Sequence, residues 1–126
     1  MNNTFSDCEK LYRAVFPTSY IQMFWKKDGT ISSAAFLDRE GLSVERGNFR
    51  DDKDVIEEMQ KFFKGCIISL TVGQCKTVDA VVKYKPSSRS EYHSEIHGSE
   101  TTPLLSKSQR KHLAADAKIV SEYPYM

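Results

Sequence analysis

A chain of 126 residues with 18 Lys+Arg against 17 Asp+Glu has a formal charge of +1, so no global field selects a polyanionic partner. Hydrophobic residues at 40% and charged residues at 28% are near globular averages, which excludes a wholly disordered, collagen-like or coiled-coil chain and suits one domain over residues 1–126. No run of ~18 apolar residues could span a bilayer, and Met1 to Asp7 has neither the basic nor the apolar region of a secretory signal, so the expectation is a soluble cytoplasmic protein.

Residues 10–16 are rich in aromatic and β-favouring types and stop at Pro17, which predicts a first strand. Tyr20 to Trp25 reads as a second extended run, closed by the Asp28-Gly29 turn. Ser32 and Ser33 open a short apolar piece that runs to Leu37. Leu42-Ser43-Val44-Glu45 then alternates as a half-buried strand does.

The clearest helix covers about residues 52–64. Val55, Ile56, Met59, Phe62 and Phe63 share one face, Asp51, Asp52 and Asp54 favour its start, and Lys64-Gly65 favours its end. Cys66 to Val72 reads as a strand between Gly65 and Gly73. A polar turn at Gln74 to Thr77 would join it in a hairpin to Ala80–Tyr84. Tyr92 to His97 is a further extended segment, and a second helix starts near Ser106, where Ser106 and Gln109 form a capping-box pattern before Leu113, Ala117 and Val120. Beyond about residue 122 the tail is expected to be loose unless Tyr123 and Tyr125 dock. Runs of strands around one strong helix, without strict alternation, point to an α+β domain with an antiparallel or mixed sheet and two main helices packed on one face.

Three constellations could carry chemistry. In an extended Tyr92–Gly98 segment, period-two geometry puts His93, Glu95 and His97 on one face, which suits proton transfer near neutral pH. The outer two lie about 13 Å apart, so one metal ion would not reach all three and no metal is expected. The bland alternative is the solvated face of an edge strand. Arg13, inside the apolar Leu11–Val15 run, either snorkels to solvent, pairs with a carboxylate or holds an anionic ligand. Ser106, Ser108, Arg110 and Lys111 at the start of the last helix could seat an anion, or else form an ordinary solvated basic patch.

No nucleotide-loop pattern is present and the basic residues are interspersed with acids, so neither a nucleotide cofactor nor nucleic acid is expected. Cys8, Cys66 and Cys75 form an odd set with no Cys-x-x-Cys pair, which argues against a disulfide framework.

The order Arg13, Ser43, Glu95 resembles the Arg, Ser, Glu order of some ADP-ribosyltransferase-like folds, in which the first two positions help to hold NAD and the Glu polarises the ribose. The Ser-Thr-Ser triplet and the Glu-x-Glu pair of that pattern are absent here. The series Leu11-Tyr12-Arg13, Asp28-Gly29, Ser33-Ala34-Ala35-Phe36, Leu42-Ser43-Val44 and Glu95-Ile96, with a closing Ala-rich helix, is similar to small uncharacterised bacterial proteins, which implies a bacterial source and no particular activity.

The functional expectation is a binding or accessory protein that acts through a polar surface of Arg13, Ser43, His93, Glu95 and His97 on a protein partner or a small anionic ligand. A small acid–base enzyme using the same residues is one alternative. Another is a structural interaction subunit, including a homo-oligomer, docking through Trp25 or the two C-terminal tyrosines.

Overall fold

The structure, a computed structural model, describes residues 1–16 and 22–122. Tyr20, Ile21, Tyr123 and Tyr125 lie outside the described residues. The rest forms an α+β arrangement around one six-stranded sheet. The strands are β1 (Lys10–Val15), β2 (Leu42–Arg46), β3 (Cys66–Thr71), β4 (Val81–Tyr84), β5 (His93–His97) and β6 (Lys118–Ser121). Their order is β4-β5-β2-β1-β3-β6, and every pairing is antiparallel.

Alternation along the strands divides the core in two. Leu11, Val15, Leu42, Val44, Ile68, Leu70 and Ile96 point to one face. That face is covered by Ile31, Ala35 and Phe36, by Val72 and Cys75 of helix α2 (Val72–Thr77), and by Leu113 and Ala114 of helix α3 (Lys107–Asp116). Tyr12 and Ile67 point to the other face and pack beneath Val55 and Met59 of helix α1 (Asp52–Gln60). The two main helices therefore sit on opposite faces, not on one. α1 covers only the β1–β3 part of its face, and the β2–β5 part is left to Ser43, Glu45, His93 and Glu95.

Several local expectations are met. Ser106 Oγ accepts from the Gln109 amide at 3.1 Å while Gln109 Oε1 accepts from the Ser106 amide at 2.8 Å, a complete capping box. The Asp28 carboxylate receives the Thr30 amide and hydroxyl, and Gly29 has φ +87°, as its turn requires. Other expectations are changed. The chain approaching Trp25 forms a 3-10 turn at Gln22–Phe24, and Trp25 pairs with Ile31 in an isolated bridge. Ser32 caps a 3-10 turn at Ser33–Phe36.

Helix α1 stops at Gln60, four residues short of Lys64, and Gly65 serves the sheet and not the helix end: a Cβ there would lie 2.6 Å from the Val15 carbonyl oxygen. Beyond the shortened helix Phe62 is left 54% exposed instead of joining the core stripe. The proposed β3–β4 hairpin does not form. Thr71 and Gln74 make a capping box that starts α2, and three strands separate β3 from β4 in the sheet.

At one end of the sheet Arg46 and Glu9 form a fully buried pair. Arg46 Nε donates to Glu9 Oε2 and its Nη2 to Oε1, both at 2.8 Å, and the Asn48 amide donates to Oε2 at 3.0 Å. The Arg46 guanidinium also donates to the carbonyls of Asn2 and Thr4 and stacks over Phe5 at 4.0 Å, so it ties the N-terminal segment to the sheet.

Candidate functional site

β1 and β2 pair at only two positions, Leu11 with Arg46 and Tyr12 with Glu45, and then part. Arg13 fills the gap on the first face: Nη1 donates to the Ser43 carbonyl at 2.9 Å and Nε to the Ala35 carbonyl at 3.1 Å. Burial lowers its pKa and nearby Asp38 opposes that shift. Arg13 therefore neither snorkels freely nor waits for an anion; two of its donors fasten β2 and the 3-10 turn to β1.

The parting of the strands leaves a cleft with about 70 Å³ of room, lined by Tyr12, Arg13, Ala14, Ser43, Val44, Glu45, Met59, Phe63, Arg89 and His93. Pockets for drug-sized ligands measure about 300–1,000 Å³. A cleft this small takes a head group of a few heavy atoms, which is too little for a whole dinucleotide. A groove of about 380 Å³ over Cys8, Lys10, Phe49 and Arg50 is larger, but its Glu9, Lys10, Arg50 and Asp52 side chains are already engaged within the fold. Lys10 and Tyr12 both donate to Asp52, and Glu9 belongs to Arg46.

Two polar features mark the small cleft. His93 and Ser43 sit diagonally across β5 and β2, with His93 Nε2 3.3 Å from Ser43 Oγ. His93 Nδ1 lies 2.8 Å from the Lys85 carbonyl, which can only accept. In the neutral ring Nδ1 then carries the proton, and Nε2 is left to accept from the Ser43 hydroxyl. Beside them Glu45 is only 4% exposed. Its Oε2 accepts from Ser90 Oγ at 2.7 Å, while its Oε1 has no hydrogen bond and lies 3.7 Å from Arg89 Nη2. The Arg89 guanidinium lies over Phe63, 4.8 Å from the ring centre.

The expected His93, Glu95 and His97 face exists but divides. β5 is flanked by β4 and β2, so it is not the edge strand of the bland alternative. His97 Nε2 donates to Glu95 Oε1 at 2.8 Å, and the pair is pressed under Gly41, where a Cβ would lie 2.6 Å from His97 Nε2. Lys85 Nζ stands 3.9 Å from the same oxygen. His93 lines the cleft; Glu95 and His97 do not.

Nor does the structure gather the third constellation into a seat. Ser106 is occupied by its capping box and Arg110 Nη1 turns back to the Leu105 carbonyl at 2.6 Å, while Ser108 and Lys111 are exposed. Of the Arg13, Ser43, Glu95 series, Arg13 meets Ser43 only through its backbone, and Glu95 is engaged with His97.

Among the described residues no three His, Cys, Asp or Glu side chains converge as metal ligands would, and no helix is long and apolar enough to cross a membrane. The cysteines are free, and burial raises the Cys75 thiol to about 12.

Sequence reasoning missed Glu45 and Arg89. Glu45 reads in the sequence only as the polar half of a strand alternation. The period-two link from Ser43 to Glu45 was the available signal.

A scan of protein-family profiles, a search of curated proteins and a search of solved structures each give no match to this chain.

Proposed function

We propose that this chain is a small binding domain that takes a polar head group into the cleft between β1, β2 and β5. One observation carries the reading: Ser43, Glu45, Arg89 and His93, drawn from two strands and a loop, meet around a single concavity that is also lined by the apolar Ala14, Met59 and Phe63. The convergence narrows the polar surface expected from sequence to its His93 end. The three free thiols support a reducing compartment such as the cytoplasm; a bacterial source rests on the sequence resemblance alone.

The test is an amide-resolved NMR titration of the full chain with a panel of small charged and neutral fragments, repeated on His93→Gln and Ser43→Ala. Shifts clustered on residues 43–45 and 89–93, weakened at least several-fold by either substitution, support the reading. Fragments whose shifts cluster elsewhere overturn it.

A second reading, a small enzyme, is favoured by the orientation of His93. A serine hydroxyl that donates to an imidazole held by a carbonyl on its other nitrogen is the arrangement of a nucleophile and its base. Hydrolysis of p-nitrophenyl acetate faster than an equal concentration of free imidazole, lost in both variants, supports that reading; equal rates remove it.

A further inference from the structure

Glu45 is the unusual group in the cleft. A carboxylate removed from water needs its lone pairs satisfied, because burying a charge without full hydrogen bonding is costly. Here Glu45, on β2 between β1 and β5, is hidden to 4% exposure, yet only Oε2 has a donor, the Ser90 hydroxyl. Oε1 has none.

The nearest cation, Arg89, stands 3.7 Å away, outside hydrogen-bond distance, on a loop side chain that is 36% exposed. Its guanidinium lies 4.8 Å from the Phe63 ring centre and 5.9 Å from that of Phe62. The site thus holds a guanidinium by an aromatic face and a carboxylate, but it holds it loosely.

We propose that the cleft is a receptor for an external guanidinium group, and that Arg89 is a weak internal occupant which swings out to admit it. The inference rests on the cleft reading above and supplies its ligand class. An incoming guanidinium would donate to Glu45 Oε1 and lie against Phe63 and Met59. Two donors at fixed spacing match a carboxylate better than an ammonium does. The room available, about 70 Å³, suits such a head group. The group could come from an arginine side chain of a partner protein or from a free guanidinium compound, and both use the same contacts.

Titration by NMR separates these cases. Methylguanidinium and Nα-acetyl-argininamide are added to the wild-type chain, to Glu45→Gln and to Arg89→Ala. Methylammonium serves as the competing cation, and inorganic phosphate and acetate as anions.

Both guanidinium probes should shift amides 43–45 and 89–93 of the wild type. Affinity should fall at least tenfold in Glu45→Gln and rise about threefold or more in Arg89→Ala. Tighter binding of the argininamide than of methylguanidinium points to a protein arginine, and equal binding to a free compound. Lys83→Ala removes a cation that pairs with Glu100 outside the cleft, and should change affinity less than twofold, which separates release of the site from a general change in charge.

The proposal is overturned if Arg89→Ala binds no more tightly than wild type, if Glu45→Gln binds equally well, or if methylammonium binds as well as methylguanidinium. Should phosphate or acetate shift the cleft while guanidinium does not, the cleft reading survives and this inference falls. If no probe shifts the cleft, both fall.

Discussion

Two buried glutamates, Glu9 and Glu45, show how differently this fold uses the same side chain. Both are almost fully hidden and both have an arginine within reach. Glu9 receives three good hydrogen bonds, two from Arg46 and one from the Asn48 amide. Glu45 receives one, from Ser90. Arg46 is itself buried and held by two further carbonyls, whereas Arg89 hangs from an exposed loop. A fully satisfied buried pair is a piece of architecture. A half-satisfied one leaves an interaction to be completed, and it lies in the cleft that collects Ser43 and His93.

The largest effect should come from the architectural member. Glu9→Gln keeps the shape but leaves Arg46 as an uncompensated buried cation, so unfolding in urea should show a loss of about 3–5 kcal/mol. A loss below 1 kcal/mol would erase the contrast between the two sites.

The next effect tests the far end of the same strands, where His97 and Glu95 are locked together. Gly41 has φ +110°, and a Cβ there would meet His97 Nε2 at 2.6 Å and Glu95 Oε1 at 2.9 Å. Gly41→Ala should cost about 2–3 kcal/mol through backbone strain and displacement of the pair, without moving the His93 resonances. A shift of His93 would mean that the two histidines act as one unit.

Tyr12 stands between the regions: it pairs with Glu45 in register, and its hydroxyl donates to Asp52 at the start of α1. Burial first, then the Asp52 bond, raises the Tyr12 pKa, and the same bond lowers that of Asp52. The signs fix the pH limits. Tyr12, raised, contributes stability that is full below about pH 10 and lost as pH rises further. Asp52, lowered, contributes stability that is full above about pH 4 and lost as pH falls. Tyr12→Phe should cost roughly 1–2 kcal/mol at neutral pH and flatten both limbs of a plot of urea midpoint against pH. Unchanged limbs would show that the bond does not control them.

How much of this was legible in the sequence depended on whether the signal was local. The Ser106-x-x-Gln109 capping box, the Asp28-Gly29 turn and the alternation that puts His93, Glu95 and His97 on one side all follow from near neighbours, and the structure has them. The Thr71-x-x-Gln74 box was equally local but was hidden inside an apparent strand–turn–strand pattern, which cost both α2 and the strand order. The end of α1 was misplaced because Gly65 looks like a helix stop, while its reason for being glycine is the Val15 backbone, fifty residues earlier in the chain. The division of His93 from His97 was not legible at all. It depends on where β1 parts from β2 and on the Gly41 backbone crossing over His97, both long-range facts.

The smallest expected change in stability belongs to Glu45. Converting it to glutamine keeps an oxygen for Ser90 and removes a buried charge that has only one hydrogen bond to compensate it. The lost ion pair with Arg89 is long and partly exposed, and such pairs contribute between 0 and about 1 kcal/mol. Glu45→Gln should therefore shift stability by less than about 1 kcal/mol, several-fold less than Glu9→Gln, in the same urea titration. A large loss would mean that Oε1 is satisfied by the fold itself, and that its carboxylate serves the sheet as Glu9 does. A small one leaves the cleft as the place where the charge of Glu45 is used.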